Sequence, residues 1–225
     1  MAFHITTEKP EDIIPRLGKG HLHWKKGRSA YELAHAWLKA NGFPPSIRNV
    51  LAPVPQWCHG QVLDAFFERE TDLQTPGRFT QTDLLVMTRM DGGNGVIAVE
   101  GKVDEPFGAI VSDWLGAGPP YAPTRLKRLE GLCASLGLAV PECRELYYQL
   151  LHRTAAALYE AERYGFPKAM MLVHSFSAGS AWFAEFARFT EAMRMPVAAP
   201  NSVSDPRVCD GVELRLGWVS DAVSP

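Results

Sequence analysis

The segment Val96-Ile97-Ala98-Val99-Glu100-Gly101-Lys102-Val103 constrains the fold more than any other part of the chain. Four apolar residues in a row predict a central strand covered on both faces. A strand of that kind implies helices layered on a sheet. Glu100 and Lys102 close the run two residues apart, so their side chains leave the same face. Charges leaving a buried strand are costly unless they are paired or bound to a metal. Two readings follow. One is a same-face ion pair at a sheet edge, the other a metal-dependent hydrolytic site.

The remaining sequence is compatible with an enzyme-sized α/β domain. The chain has 225 residues, 46% of them hydrophobic and 21% charged. That is a globular mix, not a disordered one. No repeat recurs at a fixed period, which argues against a solenoid. The longest apolar runs, Val96 to Val99 and Ala169 to Val173, fall far short of the ~20 residues a membrane helix needs. The amino-terminal residues lack the apolar core of a secretion signal. A cytoplasmic location with no membrane partner is therefore expected. Four cysteines, Cys58, Cys133, Cys143 and Cys209, form no Cys-x-x-Cys pair and read as reduced thiols.

Lysine and arginine total 23 against 25 acidic residues, a net charge of −2. This excludes a strongly basic nucleic-acid coat. The balance is uneven, with 8 basic and 4 acidic residues among positions 1–50. Lys19, Lys25, Lys26 and Arg28 make this end a solvated basic surface or, more sharply, a phosphate-facing patch. His21 and His23 flank Leu22, with no third metal ligand nearby.

Along the chain, Ser29-Ala30-Tyr31-Glu32 reads as a capping box opening a helix whose Leu33, Trp37 and Ala40 share one face. Gly42 and Pro44 end it. Residues 44–58 read as a Pro-rich loop. A short helix is predicted over about 60–69, burying Val62, Leu63, Phe66 and Phe67 and ending in exposed Glu68, Arg69, Glu70 and Asp72. A β-hairpin follows, Phe79 to Met90 and Val96 to Val103, around a glycine-dense turn. Residues 104–145 form an insertion with one helix from about Thr124 to Leu136. A helix over 145–164 buries Tyr147, Leu150 or Leu151, Thr154, Leu158 and Ala161, with Gln149, Arg153, Ala156 and Glu160 on another face. Lys168 to Phe176 reads as a buried strand, Ser180 to Met193 as an amphipathic helix, and Gly211 to Val219 as a last strand. The order implies one α/β domain with a mixed sheet flanked by helices. Its core spans about residues 29–176, and residues 177–225 add the terminal helix and strand.

With Gly92 and Gly93 at the centre of the turn, Asp83 falls opposite Lys102 and diagonal to Glu100, roughly 7–8 Å away at the Cα level. All three then lie on one face. A turn one residue longer moves Asp83 to the other face.

Asp83 on one strand and Glu100-Gly101-Lys102 on the next resemble the signature of the PD-(D/E)XK nuclease superfamily. The element order over about residues 29–176 matches as well. The resemblance implies a restriction-endonuclease-like three-layer sandwich and a metal-dependent phosphodiester hydrolase acting on nucleic acid. In that scheme Asp83, Glu100 and the Gly101 carbonyl bind Mg²⁺ or Mn²⁺, hard cations suited to oxygen ligands. Lys102 positions the attacking water. Gln149, opening the next helix, matches a glutamine found near the metal in some branches; there a tyrosine follows four residues later, where this chain has Arg153. Arg153 or His152 would then contact phosphate, together with Lys25, Lys26 and Arg28, while Arg125, Lys127 and Arg128 would contact the nucleic-acid backbone. Members often pair to cut two strands, so a homodimer is compatible with the resemblance. Thr82 stands where the signature has proline, and glycine separates Glu100 from Lys102. Asp104 either adds a ligand or marks the solvated strand end.

Two rivals stand beside this reading. A non-catalytic module on the same fold would lock Lys102 in an ion pair or turn Asp83 away. An unrelated small-molecule enzyme would carry a deep apolar pocket away from Glu100. No glycine-rich dinucleotide loop, Walker A loop or Gly-x-Ser-x-Gly elbow is present. His174-Ser175-Phe176-Ser177 lacks a partner for serine chemistry, and the scattered cysteines and histidines argue against zinc.

Overall fold

The residues 60–69, whose spacing suggests a helix, form instead part of the first strand. The computed structural model describes residues 7–18, 20–22, 24–116 and 118–223. Strand β1 runs over Gln61–Thr71 and pairs antiparallel with β2, Thr80–Met90. Val62, Leu63, Phe66 and Phe67 suit a helical face, but cross-strand pairing decides the outcome. Leu63 ends up exposed, whereas Phe67 is buried on one face of the sheet and Phe66 packs on the other.

Strand β2 pairs antiparallel with β3, Gly93–Lys102, and β3 pairs parallel with β4, Lys168–Ser175. Strand β4 pairs parallel with β7, Val212–Ser220, and two short strands, β5 at Ser202–Val203 and β6 at Arg207–Cys209, pair antiparallel along the other edge of β7. The order is β1-β2-β3-β4-β7-β5, with β6 also on β7, giving seven strands in one mixed sheet.

Six helices cover this sheet among the described residues. Helix α1, Ser29–Ala40, starts one residue earlier than the capping-box reading requires: Arg28 is the cap position and Ser29 the first helical residue. Glu32 still serves the helix start, accepting the Gly27 N–H at 2.8 Å. A short helix α2, Pro45–Leu51, occupies part of the stretch read as loop. The insertion contains α3, Val111–Leu115, as well as the anticipated α4, Pro123–Leu136. Helix α5 spans Tyr148–Tyr164 and α6 spans Phe183–Ala192.

Strand β3 explains the layering. Val96 and Ala98 join a core with Leu129, Leu150 and Phe186 from α4, α5 and α6. Ile97 and Val99 face the opposite core, with Leu33, Trp37, Ile47 and Leu51 from α1 and α2. Alternate residues of a strand face opposite sides, so an unbroken apolar run means both are covered.

The hairpin register differs from the anticipated one. Met90 pairs with Gly93, so Asp91 and Gly92 form the turn, with Gly92 at φ +82°. Leu84 pairs with Val99, and one step further Asp83 lies across from Glu100, not Lys102. The shift is two residues, the side-chain period of a strand is also two, and the face is therefore preserved. Lys19 and His23 lie outside the described residues.

Candidate functional site

Glu100 anchors a buried polar cluster between the sheet and α5. Its Oε1 receives the Lys102 ammonium at 2.9 Å and the Gln149 amide at 2.7 Å. Its Oε2 receives Arg153 Nε at 2.5 Å. Arg153 also donates to Thr80 Oγ1 at 3.2 Å and reaches Asp83 Oδ1 at 3.4 Å. The other Asp83 oxygen accepts the Gly101 N–H at 2.9 Å. A strand residue presents its N–H and C=O to the same neighbour, so the Gly101 carbonyl lies on the Asp83 side of β3. Lys102 is completed by Gln149 Oε1 at 3.1 Å and the Phe107 ring, 4.9 Å from its ammonium. Asp83, Glu100, Lys102, Gln149 and Arg153 thus come together as the residue pattern anticipates, although Arg153 sits in the interior and not on a solvated helix face.

A third carboxylate joins them. Glu68 lies between the β1–β2 pairs Phe67–Leu84 and Arg69–Thr82, which sets it beside Asp83. Its φ is +53°, a left-handed conformation that costs a non-glycine residue on the order of 1–3 kcal/mol. Glu68, Asp83 and Glu100 therefore stand on three adjacent strands. The exposed charged end anticipated for Glu68 is incorrect, because it followed from the mistaken helix.

The electrostatics reflect three carboxylates facing two cations. Burial, reinforced by Asp83, pushes Glu68 up to about 8. Burial, reinforced by Glu100, pushes Asp83 up to about 7. Burial also works against the charge on Glu100, but Lys102 and Arg153 outweigh it and hold that carboxyl at about 2. His152 is kept well below its ordinary value by burial and by Arg153. Its Nδ1 lies 2.6 Å from Thr80 Oγ1. Thr80 Oγ1 also accepts from Arg153, so it joins His152 to the cluster.

The cluster opens on a cleft of about 830 Å³ whose lining includes Lys102, Gln149 and Arg153. The wall beyond them comes from residues 76–81 leading into β2, α3, α4 and the start of α5, and it contains Arg78, Arg125 and Arg128 but no carboxylate. Arg128 is buried and donates to Tyr148 Oη at 2.6 Å, Thr75 Oγ1 at 3.3 Å and the Pro76 carbonyl at 3.2 Å. Arg125 donates to the Trp114 carbonyl at 2.8 Å. Among the described residues, neither guanidinium has a carboxylate within ion-pair distance.

The amino-terminal cations lie elsewhere. Lys25, Lys26 and Arg28 are exposed ahead of α1; Lys25 and Arg28 border a separate depression with Glu105. They are not brought to the cleft, and neither is Lys127. Asp104 falls beyond the end of β3, exposed, where it accepts from Ser177 Oγ at 3.2 Å. His174 is buried between Trp37 Nε1 at 3.2 Å and Asp221 Oδ2 at 3.3 Å, which commits it to the core. The four cysteines are free thiols, with Cys133 and Cys143 sulfurs 3.3 Å apart. At the hairpin turn, Cys58, His59 and Asp91 form an exposed group of three ligand-type side chains. Residue spacing missed it, because Asp91 reaches the adjacent Cys58-His59 pair only through the fold.

This is an α/β protein with a carboxylate-rich cluster beside a cation-lined cleft. A family model described as Domain of unknown function (DUF6946) matches residues 6–223, and the chain belongs to that family. No curated protein and no solved structure matches it. Among the described residues, no helix is long and apolar enough to cross a membrane.

Proposed function

We propose that this chain is a Mg²⁺- or Mn²⁺-dependent phosphodiester hydrolase on a restriction-endonuclease-like fold, acting on nucleic acid in the cytoplasm. The observation that carries the reading is the convergence of Glu68, Asp83 and Glu100 beside Lys102 and Arg153, two cations that themselves line a cleft with Arg78, Arg125 and Arg128. The donor set fits a hard divalent ion. Its oxygens are carboxylate and amide, and two carboxyls are held above their ordinary range, first by burial and then by each neighbouring carboxylate. Glu68, Asp83, Glu100, Gln149 Oε1 and the Gly101 carbonyl would hold the ion.

When bound, such an ion lowers the pKa of a coordinated water and offsets phosphate charge. Arg153 bridges two of these carboxylates, and its 3.4 Å contact with Asp83 is the weaker link to release. Released, the guanidinium faces the cleft it already lines and can take a phosphate oxygen. Lys102, held by Glu100 and Gln149, is placed to orient the attacking water.

One observation favours a second reading. Both Glu100 oxygens are already occupied by Lys102, Gln149 and Arg153, as a non-catalytic module on the same fold would require. Incubation with nucleic acid and Mn²⁺ separates the two. Cleavage that disappears with Asp83→Asn supports the hydrolase; no cleavage of any DNA or RNA supports the module. The cleft beside Glu100 is cationic, which disfavours the small-molecule enzyme with a remote apolar pocket.

A pH dependence follows from the raised carboxyls. In the folded chain Glu68 and Asp83 keep protons that the unfolded chain has already lost. Stability without metal therefore falls as pH rises from the ordinary carboxylate range to about 8. Glu100, held at about 2, acts in the opposite sense but only at lower pH. Urea unfolding in a chelator is expected to give lower stability at pH 8.5 than at pH 5.5, with a smaller difference in Glu68→Gln. Equal slopes in the two proteins would remove Glu68 from the cluster.

A further inference from the structure

We propose that the cleft takes a single-stranded nucleic-acid segment, with phosphates on Arg125 and Arg128 and an unpaired base against Phe79. The proposal deepens the hydrolase reading by naming its substrate class, and it rests on that reading only for the chemistry.

Two independent features point to this ligand. The first is uncompensated positive charge. Arg128 is 8% exposed yet has only neutral acceptors, an arrangement that is costly without an anion. Arg125 likewise has no anionic partner among the described residues, only the Trp114 and Leu115 carbonyls and the Trp114 ring. Both are planar forks suited to phosphate. The second feature is aromatic. Phe79, at the cleft margin, is 58% exposed, a large apolar ring left in water. In the lining of the same cleft, Trp114 and Tyr148 stack with ring centroids 3.9 Å apart and planes within 9°. This pair fixes a rigid aromatic wall, and Arg128 is anchored to the same tyrosine.

Cations alone would suit any nucleic acid, because every backbone carries phosphate. Exposed aromatic rings discriminate. In a duplex the base faces are covered by their neighbours, whereas an unpaired base offers a face to a ring.

The test is fluorescence anisotropy on the full chain in a chelator, so that binding is read without cleavage. The probes are a labelled single-stranded oligonucleotide and the same sequence as a blunt duplex. The single strand is expected to bind at least roughly ten-fold more tightly. Phe79→Ala is expected to weaken single-strand binding about ten-fold, within the range of one stacked base, and to leave duplex binding unchanged. Being exposed, Phe79 can be truncated without threatening the fold. Arg128→Gln should lower the salt slope by about 0.7 for the lost phosphate. Equal affinity for both probes, or a Phe79→Ala protein that binds like wild type, overturns the proposal.

Cleavage with Mn²⁺ separates this outcome from that of the hydrolase reading. Selective single-strand binding without cleavage leaves the inference standing and removes the hydrolase. Cleavage confined to duplex and indifferent to Phe79→Ala does the reverse.

Discussion

Replacing Glu100 by alanine lowers the unfolding free energy by about 3–5 kcal/mol, the usual consequence of removing one partner from a buried ion pair. Glu100 is 2% exposed and receives Lys102, Gln149 and Arg153 at once. Without it, Lys102 loses its carboxylate partner and Arg153 keeps only the 3.4 Å contact with Asp83. The effect should be specific to charge removal. Glu100→Gln keeps the shape and one acceptor, and it is expected to cost clearly less, while still abolishing metal binding. Urea denaturation of the two variants checks this. A loss below about 1 kcal/mol in Glu100→Ala would show that the cluster is better solvated than its burial implies.

Lys102→Met is expected to reduce Mn²⁺-dependent cleavage by about 10²–10⁴-fold, the range for losing a positioned proton-handling or charge-stabilising group. The methionine can occupy the space beside Phe107 that the lysine stem fills. Metal affinity should be retained or rise, because a cation has left the carboxylates. Single-turnover cleavage together with Mn²⁺ titration separates the two effects. Lost cleavage with intact metal binding identifies Lys102 as acting on the reacting groups. Unchanged cleavage would confine it to a structural ion pair with Glu100.

The two cores were legible where the chain leaves little choice. Val96 to Val99 and Ala169 to Val173 are too apolar to be anything but covered strands, and they became the parallel centre of the sheet. The period of α5 was equally plain. The meaning of its second face was not. Gln149, Arg153, Ala156 and Glu160 read in sequence only as a separate face, but the first two meet Glu100 and the last two are fully buried. Glu160 accepts from Thr71 and Arg69 of β1, so this burial depends on a strand far away in sequence.

The same dependence hid Glu68. Val62, Leu63, Phe66 and Phe67 satisfy helical spacing, and only pairing with β2 makes the segment extended. Once β1 is a strand, Glu68 becomes the third carboxylate. Asp83 survived a register error because the displacement was two residues, which moved its partner but not its face. Local charge at Lys25, Lys26 and Arg28 carried no comparable geometric information, and those residues stand away from the cleft. Arg125 and Arg128 do line the cleft, but the aromatic wall beside them emerged only from the packing of α3 against α5.

The most direct measurement is a calorimetric Mn²⁺ titration at pH 8 of wild type, Asp83→Asn and Glu100→Gln. Each protein is titrated alone and with a non-hydrolysable single strand present. Expected is saturable binding to the wild type, strengthened by the strand and lost in both variants. Binding that survives both substitutions, or a wild type that takes no ion even with the strand, would contradict a divalent-cation site at these carboxylates.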